Sequence, residues 1–274
     1  MKVPSLFYGL FDDAALFPPG NAPMPAAVAE HQRHRLAGHA DLVGLFVCPG
    51  DRLVDAAAEH QQPTPLDVSI TVPAGPAGLA GALRQASELA AIRARAVELP
   101  VPATELTGWI ASLAELAGDG FTVFVELPVN EVSHELADRL AGAGLALKLR
   151  TGGTTATAFP ADAELATAIE IAVRSGVGFK CTAGLHNAIG HLDPTTGFAH
   201  HGFLNVLLAV AAARSGQRPI QALAERSANR LAEHVGGLSP DEVAGLRGQF
   251  RSIGSCSITE PLTDLENLGL VDTE

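Results

Sequence analysis

Short apolar runs, many of them rich in β-branched residues, alternate along this chain with longer stretches rich in Ala, Leu and Glu. The short runs are typical of buried strands and the longer stretches of helices. Eight strand candidates lie at residues 6–11, 42–48, 67–72, 94–99, 121–127, 145–150, 177–182 and 252–257. Strands that are separated in this way by helices predict a parallel sheet.

The helical stretches predict how this sheet closes. They lie at residues 25–38, 51–60, 76–92, 104–117, 131–141 and 162–175, and a longer helical region runs over 201–248. The last part of that region starts at Ser239, an N-cap residue followed by Pro240 and, at the third helical position, Glu242. Eight strand–helix units are the number that closes a (β/α)₈ TIM barrel. We therefore predict an α/β barrel of this type, with an extended helical segment between strands seven and eight.

Domain number and compartment follow from length and composition. A barrel of this kind needs about 250 residues, and no linker interrupts the 274 residues, so one domain over 1–274 is expected. The alternative is a doubly wound open sheet, but no GxGxxG motif follows the first strand. The net charge of −12 without a basic cluster argues against nucleic acid and anionic membranes as partners. Barrels of this type often form homo-oligomers, and the sequence leaves the oligomeric state open.

Cysteine usage and the apolar runs point to a cytoplasmic protein. The chain has three cysteines, Cys48, Cys181 and Cys256, without a CxxC pair, which fits a reducing compartment. The N-terminal apolar run is interrupted by two aspartates and is a poor signal peptide. The longest apolar run, at 203–213, is too short to span a bilayer.

Strand alternation predicts which polar side chains line the barrel. In residues 145–150, leucines take every second position, so Lys148 and Arg150 belong to the inward face. On strand three, Ser69 and Thr71 take the corresponding face. Applied to strands four to seven, the same rule gives an inward polar set at the C-terminal strand ends: Glu98, Glu126, Lys148, Arg150, Lys180 and Thr182. Active sites of such barrels lie at this end. A buried salt-bridge network that only stabilises the barrel is the alternative explanation for these charged residues.

Two of the chain's three lysines are in this inward set, although the chain uses arginine fifteen times. Lysine, unlike arginine, can become a neutral amine at physiological pH and attack a carbonyl carbon to form a Schiff base. Lys148 and Lys180 lie on adjacent predicted strands, and Arg150 lies beside them. Mutual repulsion is therefore expected to activate one amine, with Glu98 or Glu126 as proton carrier.

The two lysine segments resemble a known enzyme family. LKLRTGG (residues 147–153) looks like the strand-six lysine motif of deoxyribose-phosphate aldolases, and FKCTAGLHN (residues 179–187) looks like their strand-seven motif. The resemblance implies that Lys148 forms a Schiff base and that Lys180 tunes it. The chain departs from the family at Glu98, where the family has Asp, and in its longer segment after strand seven. TAGLH and HGFLNV also resemble a group of bacterial proteins of unknown function.

The segment after strand seven holds four histidines: His186, His191, His200 and His201. His186, closest to the strand end, is a candidate catalytic residue, and His201, near a helix start, is a candidate substrate-binding residue. Glu98, Glu126 and His186 together would also suit a divalent metal ion, although no metal motif such as HExxH is present. The roles of His191 and His200, and of Cys48 and Cys256, stay open.

Two further segments are candidates for substrate binding. Thr151, Gly152 and Gly153 follow strand six, where glycines let backbone N–H groups approach an anion; a tight turn explains them equally well. Asp12 and Asp13 are predicted to lie in a loop after the first strand and to form a wall or lid.

These observations leave three hypotheses. The leading one is a carbon–carbon lyase, aldolase-like, that acts on a small carbonyl or anionic substrate through a Schiff-base lysine and needs no cofactor. The second is a metal-dependent lyase or isomerase that uses a divalent ion. The third is a barrel that binds a small ligand without catalysis. The identity of the substrate does not follow from the sequence.

Overall fold

The barrel strands are close to the predicted runs, with one exception. The computed structural model describes residues 2–272. Eight parallel strands in this range form a closed barrel. They are β1 (Phe11–Asp13), β2 (Val43–Pro49), β3 (Leu66–Thr71), β4 (Ile92–Pro100), β5 (Thr122–Leu127), β6 (Ala146–Arg150) and β7 (Phe179–Thr182), with the last barrel strand at Phe250–Ser255. The predicted fold class, an α/β TIM barrel, is confirmed.

Eleven α-helices accompany the strands within the described range. They are α1 (Met24–Leu36), α2 (Leu53–Glu59), α3 (Pro76–Ser87), α4 (Leu106–Gly118), α5 (His134–Gly142), α6 (Asp162–Arg174), α7 (Phe203–Arg214), α8 (Pro219–Ala224), α9 (Ala228–Gly236), α10 (Pro240–Gln249) and α11 (Thr259–Asn267). None of the helices between residues 2 and 272 has the length and apolar character that a bilayer crossing requires.

The segment between β7 and the last barrel strand contains more than helices. A two-stranded hairpin, β8 (His191–Leu192) and β9 (Ala199–His200), comes first, and α7 to α10 follow. The last barrel strand is therefore β10. The predicted helix start at Ser239 is confirmed: its hydroxyl accepts from the backbone N–H of Glu242, whose carboxylate accepts from the N–H of Ser239.

The predicted first strand at residues 6–11 is wrong. Ser5–Phe7 forms a short 3₁₀ helix, and β1 begins only at Phe11. Gly9, with a φ of +55°, turns the chain between the two, which few residues other than glycine can do. The correction moves Asp12 and Asp13 out of the expected loop and into β1, where both are buried.

Two apolar clusters of very different size surround the strands. The larger one packs the outward strand residues, such as Leu147 and Phe179, against the helices. The smaller one lies inside the barrel and consists of Ala96, Phe124 and Ala146, with Leu45 packed against it. Above this small apolar floor, the barrel is lined by polar and charged side chains.

Candidate active site

Both interior lysines are ion-paired inside the barrel. Lys148 Nζ lies 2.9 Å from Glu98 Oε2 and 2.9 Å from Glu126 Oε2. Lys180 Nζ lies 2.6 Å from Asp12 Oδ2 and 2.7 Å from Glu98 Oε1. Glu98 therefore bridges the two ammonium groups, with one carboxylate oxygen on each.

Arg150 extends this network to the mouth of the barrel. Its Nε lies 3.0 Å from Glu126 Oε1, so Glu126 is shared between a lysine and an arginine. We call the six linked side chains the ionic network: Arg150, Glu126, Lys148, Glu98, Lys180 and Asp12. Its three cations and three carboxylates alternate in space, which is the arrangement that buried charges need.

The parallel register explains why these residues meet. Lys148 pairs with Glu126 on one neighbouring strand and with Lys180 on the other. Because side chains at paired positions of adjacent strands share a face, one inward level of the barrel carries all three charges. Glu98 enters from β4, and its carboxylate reaches both lysines.

From Lys180 to Arg150, burial decreases along the network toward the mouth of the barrel. The Lys180 side chain is 0% exposed and that of Glu98 2%. The Lys148 side chain is 7% exposed and that of Glu126 19%. Arg150 is 49% exposed. Of the two interior lysines, Lys148 is therefore the one whose amine lies next to groups that solvent can reach.

Asp12 anchors the deep end of the network. Its Oδ2 accepts a hydrogen bond from Ser252 Oγ at 2.6 Å, and its Oδ1 accepts from the backbone N–H of Leu45 at 2.9 Å. Lys180 Nζ lies 5.2 Å from the centroid of the Phe124 ring, close enough for a cation–π contact. Asp12 is therefore a buried partner of Lys180, and the predicted wall or lid role is wrong.

The charges of the deep residues are held by their partners. Burial by itself would raise the pKa of Glu98, but the charges of Lys148 and Lys180, with hydrogen bonds from Lys180 and Ser69, hold it well below its usual range. Burial would lower the pKa of Lys180, but Asp12 and Glu98 raise it above its usual value. Lys180 is consequently a charged ammonium and not a neutral amine.

Glu126 is ionised as well. Burial would raise its pKa, but the charges of Lys148 and Arg150 outweigh this and lower it. The sequence predicted that the two lysines repel each other and that this repulsion activates one amine. In the structure, Glu98 lies between the two ammonium groups and offsets their repulsion.

The loop after β6 is a packed turn. Thr151 Oγ1 donates to the carbonyl oxygens of Thr182 and Ala183, so its hydroxyl is already used. A Cβ on Gly152 would lie 2.8 Å from Gly184 Cα, which shows that the loops after β6 and β7 touch through their backbones. Gly153 similarly faces Ala158. The close packing of these loops explains why glycine occupies both positions.

The predicted histidines contact other parts of the mouth. His186 Nδ1 lies 3.0 Å from Glu260 Oε2, and Cys256 Sγ lies 3.6 Å from the same nitrogen. His201 is buried, with Nε2 2.8 Å from the carbonyl oxygen of Pro160 and Nδ1 3.4 Å from Asp162. His186 thus contacts the loop and the helix after β10, and His201 contacts the start of α6.

Other candidate residues also have structural partners. Asp13 Oδ2 lies 3.0 Å from His31 Nδ1, which ties β1 to α1. Thr182 faces the last strand inside the barrel, since a Cβ on Gly254 would lie 2.7 Å from its hydroxyl. His191 and His200 stack on each other across the hairpin, with ring centroids 5.2 Å apart.

The three cysteines have raised pKa values, and the residues of the expected metal set contact other groups. Burial raises the pKa of Cys48 and of Cys181 to about 12, and it also raises the pKa of Cys256. Between residues 2 and 272, no group of three or more His, Cys, Asp or Glu side chains is arranged to hold a metal ion. Of the expected metal set, both glutamates contact lysine and His186 contacts Glu260.

Two polar residues of the interior were missed as site residues. Ser69 Oγ donates to Glu98 Oε1 at 2.5 Å, and Ser252 Oγ donates to Asp12. Strand alternation had already placed Ser69 on the inward face, whereas Ser252 could be placed only with the true limits of β1 and β10.

Fold and site together define a (β/α)₈ barrel with an alternating ionic network at the C-terminal strand ends. No protein-family model matches the chain, and no curated protein is significantly similar to it. A solved structure described as "a putative fructose-1,6-biphosphate aldolase from Coccidioides immitis" is 13% identical, with a TM-score of 0.34 and coverage of 81% of this chain and 91% of that chain. A likeness at this level carries no argument about activity, so function is argued from the site.

Proposed function

We propose that this protein is an aldolase-like lyase that forms a Schiff base between Lys148 and a small carbonyl substrate. One observation carries the proposal. Lys148 Nζ lies between two carboxylates, Glu98 and Glu126, at the boundary between the sealed barrel interior and the open mouth. An amine in this position can meet a substrate that enters from the mouth and has a proton acceptor in contact with it.

Its neighbours are less suited to the role of nucleophile. Lys180 is fully buried and stays charged, because Asp12 and Glu98 raise its pKa. Arg150 is at the mouth, but a guanidinium does not deprotonate in proteins. Lys180 instead acts on Lys148 through the shared carboxylate of Glu98, since it takes up part of the negative charge that would otherwise hold the Lys148 ammonium.

The first step requires one proton transfer. Lys148 loses a proton to Glu126 Oε2, 2.9 Å away, and the network keeps the same total charge. The neutral nitrogen then bonds to the carbonyl carbon. The carbonyl oxygen takes up the proton from Glu126 and a second proton from the attacking nitrogen, the C–O bond breaks and water leaves, and a protonated C=N bond remains. Glu126 is the proton carrier of this scheme, because it is more exposed than Glu98 and contacts Lys148 directly.

The mouth favours a substrate with an anionic group. Arg150 is half exposed there, and within residues 2–272 its one ion pair is with Glu126. An entering carboxylate or phosphate could pair with the free side of its guanidinium, which has five N–H donors. We therefore propose a small carbonyl substrate that carries an anionic group, with Arg150 as its contact. Schiff-base formation at Lys148 would itself need no metal or organic cofactor.

Borohydride trapping tests the proposal, and the chain suits it because only three lysines can react. The protein is incubated with a panel of small aldehydes, ketones and oxo acids, reduced with borohydride, digested and mapped by mass spectrometry. We expect a stable adduct on Lys148 with at least one member of the panel. Lys2, exposed at the N-terminus, reports non-specific labelling in the same sample.

Matched variants separate the proposal from the alternatives. Lys148→Arg keeps the positive charge, and we expect it to abolish the adduct. If labelling of Lys2 equals that of Lys148 for every carbonyl compound, or if Lys148→Arg retains full activity, the Schiff-base proposal is wrong. Elemental analysis of protein purified without chelator would then test the metal-dependent hypothesis.

A further inference from the structure

Two neighbouring helices on the outside of the barrel carry very little charge. The 12 residues of α3 include one charged residue, Arg84, and the 13 residues of α4 include one, Glu115. The next helix, α5, is shorter and has three, Glu135, Asp138 and Arg139. Charged residues are depleted in the core of protein–protein interfaces, because removing a charge from water is costly. The composition of α3 and α4 is therefore that of a surface which another protein covers.

An aromatic side chain projects from this surface. Trp109, the only tryptophan of the chain, lies in the first turns of α4 and is 37% exposed. Arg139 of α5 donates to the hydroxyl of Thr107, so Thr107 faces α5. Because successive helical residues turn by about 100°, Trp109 points about 200° away from Thr107 and thus toward α3. Tryptophan is among the residues that most often anchor protein interfaces.

A groove of about 670 Å³ lies on the opposite side of α3. Gly50 and Asp51, which follow β2, form one wall, and Gly78, Gly81 and other residues of α3 form the other. The strand order β2–β3–β4 places this groove on the side of α3 that faces away from α4. A Cβ on Gly81 would meet nothing within 4 Å, so the groove is open where α3 has no side chain.

The groove also contains an unpaired hydrogen-bonding group. Within residues 2–272, only Thr71 Oγ1 and Ser175 Oγ are buried side-chain polar atoms without a partner, and Thr71 lines the groove. Burying a hydroxyl without a partner is costly, so this position needs an explanation. A hydroxyl oxygen can accept from an N–H donor, and the indole of Trp109 carries one such donor.

The groove and the tryptophan lie at similar heights on the two sides of α3. Both helices start above the C-terminal ends of adjacent parallel strands, so equal positions along them are at similar heights. Gly78 is the third residue of α3 and Trp109 the fourth of α4. Arg84 is the ninth residue of α3 and Glu115 the tenth of α4, so these two charges are at similar heights as well.

We propose that a second copy of this chain covers α3 and α4 in a symmetric dimer whose two-fold axis runs along α3. Such an axis exchanges the two sides of α3 and keeps the height, so Trp109 of each copy enters the groove of the other. Arg84 also lines the groove, and the same rotation brings it opposite Glu115 of the second copy.

The two charges of this surface complement each other in the dimer. Arg84 and Glu115 are both exposed, and in the described part of the chain neither has an ion-pair partner. The dimer pairs them twice, once on each side of the axis. One arrangement therefore places an exposed indole in an open groove and a free cation opposite a free carboxylate.

Sedimentation and fluorescence of the wild type over a range of concentrations test the proposal. We expect a dimer that dissociates on dilution. Because the chain has a single tryptophan, its emission reports on Trp109 alone, and it should shift to longer wavelength as the indole leaves the groove for water. A protein that is monomeric even at about 0.1 mM would overturn the proposal, and so would a dimer whose emission does not change on dissociation.

Matched variants identify the surface. Trp109→Ser removes the anchor, and Gln85→Phe fills the groove, because side chains on a helix lean toward its N-terminus and this ring would cover Gly81. Each should weaken the dimer about tenfold or more. Tyr8→Ser removes an aromatic side chain that is 51% exposed outside this surface, and it should leave the dimer unchanged.

Charge reversal separates a lost interface from a lost fold. Arg84→Glu and Glu115→Arg each place like charges opposite one another, so each should weaken the dimer, and the double variant should restore it. A general folding defect would not be repaired by the second reversal, and circular dichroism checks the fold of each variant. A double variant that dimerises no better than the single variants, or a dimer that Trp109→Ser leaves intact, would overturn the proposal.

Discussion

Lys180 and Lys148 have the same side chain but differ in what surrounds them. Lys180 is sealed between two buried carboxylates, whereas Lys148 has one buried partner and one that solvent reaches. Removing one member of a buried ion pair leaves an uncompensated charge in the interior, which is far more costly than the pair itself is stabilising. The two lysines should therefore differ in their effect on stability.

We expect Lys180→Met to lower the free energy of unfolding by about 3–5 kcal/mol, because Asp12 and Glu98 both lose their buried cation. Lys148→Met should lower it less, since Glu98 keeps Lys180 and Glu126 can be hydrated. Urea unfolding at neutral pH, followed by circular dichroism, measures both. An equal or larger loss in Lys148→Met would contradict the burial order of the network.

The shifted pKa values predict how stability depends on pH. The pKa of Glu98 is lowered on folding, so its stabilising effect is complete above the unfolded pKa of about 4.3 and is lost as the pH falls below it. The pKa of Lys180 is raised, so its effect is complete below about pH 10.4 and is lost as the pH rises above that.

Urea unfolding from pH 3 to 11 should therefore show a loss of stability at both ends of the range. In Glu98→Gln the loss below about pH 4.3 should be shallower, because that carboxylate no longer titrates. An acid limb of the same slope in this variant would show that Glu98 is not responsible.

At the scale of elements, α3 shows two glycines in different surroundings. A Cβ on Gly81 would meet nothing within 4 Å, whereas a Cβ on Gly78 would lie 3.0 Å from Val72 Cγ1 and 3.2 Å from Ala74 Cβ. Glycine in a helix costs about 0.5–1 kcal/mol relative to alanine, because it loses more backbone entropy on folding. Only Gly81 can gain that amount without a steric cost.

Gly81→Ala should accordingly raise the free energy of unfolding by about 0.5–1 kcal/mol. Gly78→Ala, in the same helix, should raise it less or lower it, because the tight contact with Val72 and Ala74, in the loop after β3, must relax. Thermal and urea unfolding of the two single variants provides the comparison. A larger gain from Gly78→Ala would be inconsistent with the packing of α3 on the loop that follows β3.

At the scale of the whole molecule, Asp12 connects strands on both sides of the point where the first and last strands close the barrel. It lies on β1 and contacts the backbone of β2, Ser252 on β10 and Lys180 on β7. The strand order brings β1 and β10 together, so the first and the last strand of the barrel meet at this carboxylate. The ionic network is thus part of the barrel's architecture as well as the candidate active site.

Asp12→Ala should destabilise the whole barrel by about 3–5 kcal/mol, because Lys180 loses a buried partner. Ser252→Ala removes one neutral donor to the same carboxylate and should cost about 1 kcal/mol. Hydrogen exchange of the β1 and β10 amides measures whether the loss of stability extends to the pairing of these two strands. Similar effects of the two variants would contradict the assigned role of Asp12.

The sequence by itself determined the fold class and most of the candidate site. Alternation of leucines around Lys148 is a local property with a fixed period of two, so it identified the inward face before any partner was known. Periodic apolar runs similarly located seven of the eight barrel strands. The capping pattern at Ser239 is equally local, and it was predicted correctly.

Only the tertiary structure decided which charges meet. Asp12 and Lys180 are 168 positions apart in the chain, and no local pattern specifies that their side chains touch. The limits of β1 depend on the turn at Gly9 and on pairing with β2 and β10, so an apolar run alone misplaced them. Register and closure are long-range properties. Because of them, the two lysines that were expected to repel each other are both ion-paired with one carboxylate, Glu98.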